Sequence, residues 1–133
     1  MSTTLEAIAR DFLQAMQSCV RAQDYAQCRP LFAEDVVAFG TYATLVTGRD
    51  NLEANQWRQI WPTIADFTFV VDQMHCLGTA DGFCVVVPWT STGRASDGTP
   101  FERPGRATLM LSPRGDGYVA THSHFSLAPR PDR

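Results

Sequence analysis

The feature that most constrains this chain is a change of hydrophobic period at Pro62. Before it, apolar residues return every three or four positions; after it they alternate. Leu5, Ile8, Ala9, Phe12, Leu13, Met16 and Val20 predict an amphipathic helix of about five turns ending near Gln23, with Thr3 and Glu6 at capping-box spacing. Asp24 opens a second helix, with Gln27 as its capping partner, and Pro30 keeps it short. Val36 to Phe39 reads as a short strand closed by Gly40, followed by a loop that carries Tyr42 and Leu45. A third helix runs from about Asp50 to Trp61 and stops at Pro62, with Ala54, Trp57, Ile60 and Trp61 on one face.

Beyond Pro62 the alternation predicts strands over Phe67 to Leu77, Phe83 to Thr92, Thr99 to Ser112 and Gly117 to Ala128. Thr79 to Gly82, Asp97-Gly98 and Pro113 to Gly117 supply the turns, and Pro104-Gly105 predicts a bulge or strong bend. Three helices followed by a four-strand meander make an α+β fold, with the helices on one face of a strongly curved, mostly antiparallel sheet. Such a sheet closed by helices is a cone, and the cone's interior is the natural cavity. One domain spans 1–133, with 129–133 a tail that has no reason to be ordered.

Composition narrows the function classes. A net charge of −3 with interspersed signs gives no basic footprint for nucleic acid. No apolar run approaches the roughly 20 residues of a membrane span, and the N-terminus lacks the basic and apolar blocks of a secretion signal. Cys19, Cys28, Cys76 and Cys84 show neither CxxC nor metal-ligand spacing, so they read as free thiols of a reducing, cytoplasmic setting.

The last strand holds the chemistry-bearing residues. Strict alternation puts Tyr118, Ala120, His122, His124 and Ser126 on one face and Val119, Thr121, Phe125 and Leu127 on the other. Histidine titrates near neutrality, so His122 and His124 are the candidate acid and base, facing a pocket. The structural alternative has them bonding across the sheet or lying at an interface. Arg106, on the neighbouring strand, would hold a carboxylate or enolate, with Ser126 beside it; alternatively it is a surface arginine at the bend. Tyr42, Trp57, Trp61 and Trp89 are candidates for the pocket wall, unless they are plain core. A metal needs a third ligand beside the two histidines; His75 on another strand is the sole candidate, so neither metal nor cofactor is predicted. The apolar face Val119, Thr121, Phe125 and Leu127 predicts a homodimer, since helices cover only the opposite side.

Several segments together resemble a known superfamily. Asp24 after a long helix, then Leu31-Phe32-Ala33-Glu34-Asp35-Val36-Val37, then Thr47-Gly48-Arg49-Asp50 opening a helix, resemble the nuclear transport factor 2-like superfamily. Arg106-Ala107-Thr108-Leu109 and the His122-x-His124-x-Ser126 strand resemble its SnoaL-like branch, and the latter also resembles the association domain of calcium/calmodulin-dependent kinases. The resemblance implies a cone-shaped α+β barrel with a pocket at its wide end and dimerisation through the convex sheet face. It implies no single activity, because relatives include isomerases, cyclases, dehydratases, epoxide hydrolases and non-catalytic domains. The catalytic aspartate of ketosteroid isomerases falls on Gly40 and their first-helix tyrosine on Met16, so that mechanism is excluded. The aspartate–arginine–aspartate set of the epoxide hydrolases is not identifiable either. Two functions stay open: acid–base chemistry on a small aromatic or polyketide-like ligand, or ligand binding and assembly without turnover.

Overall fold

A computed structural model describes residues 3–130. Met1, Ser2 and 131–133 of the expected tail lie outside the described residues, as does the side chain of the proposed Thr3–Glu6 cap.

Helix α1 (Thr3–Ala22) buries the predicted stripe: Ala9, Phe12, Leu13, Met16 and Val20 are each at most 6 % exposed. Helix α2 (Tyr25–Cys28) starts at Asp24, whose carboxylate accepts from the Gln27 backbone N–H at 3.1 Å. A 3₁₀ turn at Arg29–Leu31 then carries the chain into strand β1 (Phe32–Phe39). The two-residue strand β2 (Val46–Thr47) pairs back on β1.

The third helix is not regular. It runs as α3 (Arg49–Leu52), a π turn (Glu53–Trp57) and α4 (Arg58–Ile60), closing in a 3₁₀ turn at Trp61–Thr63 that contains Pro62. A π turn rotates the residues after it relative to a plain helix, and such turns gather at functional sites. Here it holds both buried residues Gln56 and Trp57. Arg29 pairs with Asp50 at 2.6 Å and Glu53 at 2.7 Å, and Arg49 donates to the carbonyls of Arg29 and Phe32. These bonds pin this helix to the start of β1.

The sheet comprises β2, β1, β3 (Ala65–Phe69), β4 (His75–Thr79), β5 (Gly82–Arg94), β6 (Pro100–Glu102), β7 (Gly105–Arg114) and β8 (Gly117–Leu127). Its order is β2-β1-β8-β7-β5-β3, with β4 and β6 also paired to β5. All neighbours are antiparallel except β1 and β8, which run parallel. The sheet is strongly curved around α1 but does not close, so the expected barrel is an open cone. The single strand expected over Phe67 to Leu77 is two strands, β3 and β4, separated by a 3₁₀ turn at Val71–Gln73.

Two register details decide where side chains point. Across Arg103-Pro104 the register holds, Trp89 pairing Gly105 and Thr92 pairing Glu102, so the expected bulge is only a break between β6 and β7. The bulge lies instead in β8. Met110 pairs His122 while Leu111 pairs Ala120, leaving Thr121 as the extra residue. One extra residue reverses the faces beyond it. Tyr118 and Ala120 face the core, Ser123 and Phe125 continue that face, and His122, His124 and Ser126 turn outward.

The core lies between α1, the third helix and the concave sheet face. Trp89, Phe32, Phe83, Leu13, Leu109 and Leu111 are its largest fully buried side chains. Each contributes about 1.5–3 kcal/mol of transfer free energy.

Candidate functional site

The concave side of the sheet and the helices enclose a cavity lined mostly by apolar side chains, among them Met16, Ile60, Ile64, Phe67 and Phe125. The centre of a water molecule has ≈ 40 Å³ in which to move there. That space admits nothing larger than a single small ring unless the walls move apart.

Aromatic packing fixes the walls. Trp57 stacks on Trp61 (ring centroids 5.1 Å, 18° between planes), Trp61 stacks on Tyr25, and Arg58 lies 4.1 Å above the Tyr25 ring. Trp89 is set by Gly105: a Cβ there would sit 2.1 Å from the indole Cζ2.

One end of the cavity is polar. Gln56, 8 % exposed, accepts through Oε1 from the backbone N–H groups of Tyr42 (2.9 Å) and Ala43 (2.7 Å). Its Nε2 donates to Thr41 Oγ1 at 3.0 Å, and Arg103 donates to the same oxygen at 3.0 Å. Arg103 also reaches Ser91 Oγ at 3.5 Å, and its guanidinium lies 5.4 Å from the Trp89 ring centroid. Ser91 Oγ in turn donates to the Arg103 carbonyl at 2.8 Å. Burial pushes the Arg103 guanidinium down from its ordinary pKa, and among the described residues no carboxylate pairs with it. The buried Trp89 Nε1 has no hydrogen-bond partner among them either.

Gly40 makes this arrangement possible. A Cβ at position 40 would lie 2.3 Å from Gln56 Oε1, so the amide occupies the space a longer side chain would need. The carboxylate that a ketosteroid isomerase carries at this place is therefore replaced by a neutral amide from the π turn. Met16 at the other expected catalytic place is buried and lines the cavity.

Sequence-predicted residues divide between two surfaces. Trp57, Trp61 and Trp89 line the cavity as expected. Tyr42 does not: its side chain is 64 % exposed and only its backbone meets Gln56. His122, His124 and Ser126 lie on the outer face of the sheet because the Thr121 bulge turns them away from the cavity, and Arg106 lies there by the alternation of β7, whose Gly105, Ala107 and Leu109 face the core. There Arg106 Nε donates to Ser126 Oγ at 3.2 Å, His122 Nδ1 lies 2.7 Å from the Val37 carbonyl, and both imidazoles edge onto Phe39. The face named for dimerisation is also split, since the bulge puts Val119 on the outer face and Phe125 and Leu127 on the inner one, where Phe125 lines the cavity. Among the described residues no cluster of three or more His, Cys, Asp or Glu side chains could hold a metal ion.

Thr41, Gln56 and Arg103 were missed. Gln56 had no signal, because a π turn leaves no mark in the hydrophobic period. Arg103 did have one: it is the charged residue at the Pro104 break, where a strand stops pairing and can turn a side chain inward.

A long helix laid across an open, curved, mostly antiparallel sheet, with a cavity between them, is the nuclear transport factor 2-like architecture. The chain belongs to the SnoaL-like family within it, matching the SnoaL-like domain over residues 9–126. A nuclear transport factor 2-like superfamily protein from Salmonella enterica superposes with a TM-score of 0.81 at 14% identity, covering 98% of this chain and 96% of that one. A ketosteroid isomerase-like protein from Erwinia carotovora gives 0.76 at 15% identity over 93% and 96%. The association domain of calcium/calmodulin-dependent protein kinase II from C. elegans gives 0.67 at 15% identity over 92% and 98%. At such identities the likeness is one of fold. No curated protein matches the sequence.

Proposed function

We propose that this protein binds a small, one-ring ligand in the interior cavity and does not turn it over by acid–base chemistry. The observation that carries this is the cavity's lining: mostly apolar walls, one end polar through Thr41, Gln56 and Arg103, and no carboxylate, imidazole, thiol or phenol among the lining side chains. General acid–base catalysis needs a titrating group within hydrogen-bond reach of the reacting atom. His122 and His124 stand on the other side of the sheet, which counts against proton transfer by either.

The test uses intrinsic fluorescence. All three tryptophans line the cavity, so any occupant changes their emission. One-ring compounds should shift or quench it saturably, and polycyclic compounds should not. Saturable binding of a steroid or other polycyclic ligand, or its isomerisation, would overturn this function.

The outer face supports a second proposal, a homodimer. Val37, Phe39 and Val86, each between 37% and 41% exposed, form with His122 and His124 a mixed apolar surface across β5, β7, β8 and β1. Light scattering should give twice the 14.7 kDa chain mass at micromolar concentration. A monomer at that concentration removes the proposal. The free thiols of Cys19, Cys28, Cys76 and Cys84 suit a reducing, cytoplasmic setting.

A further inference from the structure

Resting on the cavity as the binding site, we infer that its ligand is a one-ring carboxylate whose oxygens take hydrogen bonds from Arg103 and Thr41. The inference follows from a count of donors and acceptors at the polar end.

Every acceptor there is already engaged. Gln56 Oε1 takes the N–H groups of Tyr42 and Ala43. Thr41 Oγ1 takes both Gln56 Nε2 and Arg103, which occupies its two lone pairs and leaves its own proton to donate. Ser91 Oγ spends its proton on the Arg103 carbonyl and faces the Arg103 guanidinium with its lone pairs. What remains are donors: the other guanidinium N–H groups and the Thr41 hydroxyl proton. A cavity end that offers only donors, one of them a cation with no carboxylate beside it, repels a ligand group that must itself donate. It selects a group made of acceptors.

The geometry narrows the class further. The guanidinium stands over the Trp89 ring, so an anion bound there meets a fixed planar fork rather than a mobile point charge. Beyond it the walls are rings and branched aliphatics, including Phe67, Phe125, Ile60 and Ile64, with room for about one ring. Partial burial of the cation supports the same conclusion, since a partly desolvated guanidinium is stabilised by an incoming carboxylate more than a fully hydrated one would be.

The experiment titrates the whole chain with benzoate, benzamide and toluene, following tryptophan emission in wild type and in Arg103→Met. A charge-assisted pair should make benzoate bind wild type about tenfold or more tighter than benzamide, whose amide donors oppose the donors of the site. In Arg103→Met the preference should vanish while toluene binds as before. Equal affinity of benzoate and benzamide for wild type overturns the carboxylate inference and leaves the cavity as a binding site. A preference that survives Arg103→Met overturns the assignment to Arg103. If none of the three perturbs emission, the cavity function fails, and this inference with it. Should Arg103→Met not fold, the wild-type comparison of benzoate with benzamide decides on its own.

Discussion

The Gln56 amide and the missing side chain of Gly40 are one device, and a double-mutant cycle exposes it. Gln56→Ala removes the acceptor of two backbone N–H groups, at 2.9 and 2.7 Å, and the donor to Thr41 at 3.0 Å. At about 1 kcal/mol for each partly buried bond, the loss is roughly 2–3 kcal/mol. Gly40→Ala should cost nearly as much for a different reason. Its new Cβ would stand 2.3 Å from Oε1 and 2.4 Å from Cδ of Gln56, so the amide must leave and the same bonds break. The alanine offsets about 0.4–1 kcal/mol of this by stiffening the unfolded chain. Once Gln56 is cut back to alanine, the three atoms nearest the new Cβ are gone. The double variant should therefore lose about 1.5–2.5 kcal/mol, not the roughly 4–5 kcal/mol of two independent losses, a coupling of about 2–2.5 kcal/mol. Urea unfolding followed by tryptophan emission measures all four corners. Additivity within about 0.5 kcal/mol would refute the reasoning, because it would mean that the two positions do not compete for one space.

Other outcomes follow from the same structure. Gly105→Ala should be among the worst single substitutions in the chain, costing several kcal/mol by the scale of lost aromatic core packing, since its Cβ would lie 2.1 Å from Trp89 Cζ2 and 2.5 Å from the Ser126 carbonyl oxygen; thermal melting checks it. Arg103→Met should leave the ligand-free melting temperature within a few degrees of wild type, because loss of a half-buried cation with no carboxylate partner among the described residues offsets the loss of its bonds to Thr41 and Ser91. Pairing with Arg29 holds the carboxyl groups of Asp50 and Glu53 below their ordinary pKa values, so the stability they contribute is present above the usual carboxylate range and is lost as pH falls through it. Arg29→Met should flatten that part of the stability-versus-pH curve, and an unchanged slope between neutral and acid pH would contradict the assignment. His122→Ala and His124→Ala should leave ligand affinity unchanged, since both side chains lie outside the cavity; a loss in titration would show that the outer face takes part in binding.

Much of this fold was legible because it is written in periods. The stripe from Leu5 to Val20, the stops at Pro62 and Gly82 and the alternation through β5 each reflect burial against one core, and each was found in place. The site was less legible, for two physical reasons. Strand parity is an integer count, so the one inserted residue Thr121 moved His122, His124 and Ser126 from the inner face to the outer. Nothing in the Thr121-His122-Ser123 sequence announces a bulge. The functional polar groups, meanwhile, sit where regular structure fails: Gln56 in a π turn, Thr41 in the loop after β1, Arg103 in the gap between β6 and β7. Aromatic residues behaved differently. Trp57, Trp61 and Trp89 follow the period of their elements, so their inward direction could be read before their role.

The most direct test of the account is the place where an aromatic acid binds. A crystal soaked with 4-bromobenzoate locates the ring by the anomalous signal of its bromine. The account predicts the bromine among Ile60, Ile64 and Phe67 and the carboxylate within hydrogen-bond distance of Arg103. Bromine found instead only in the outer groove between Arg106 and His124 would contradict it.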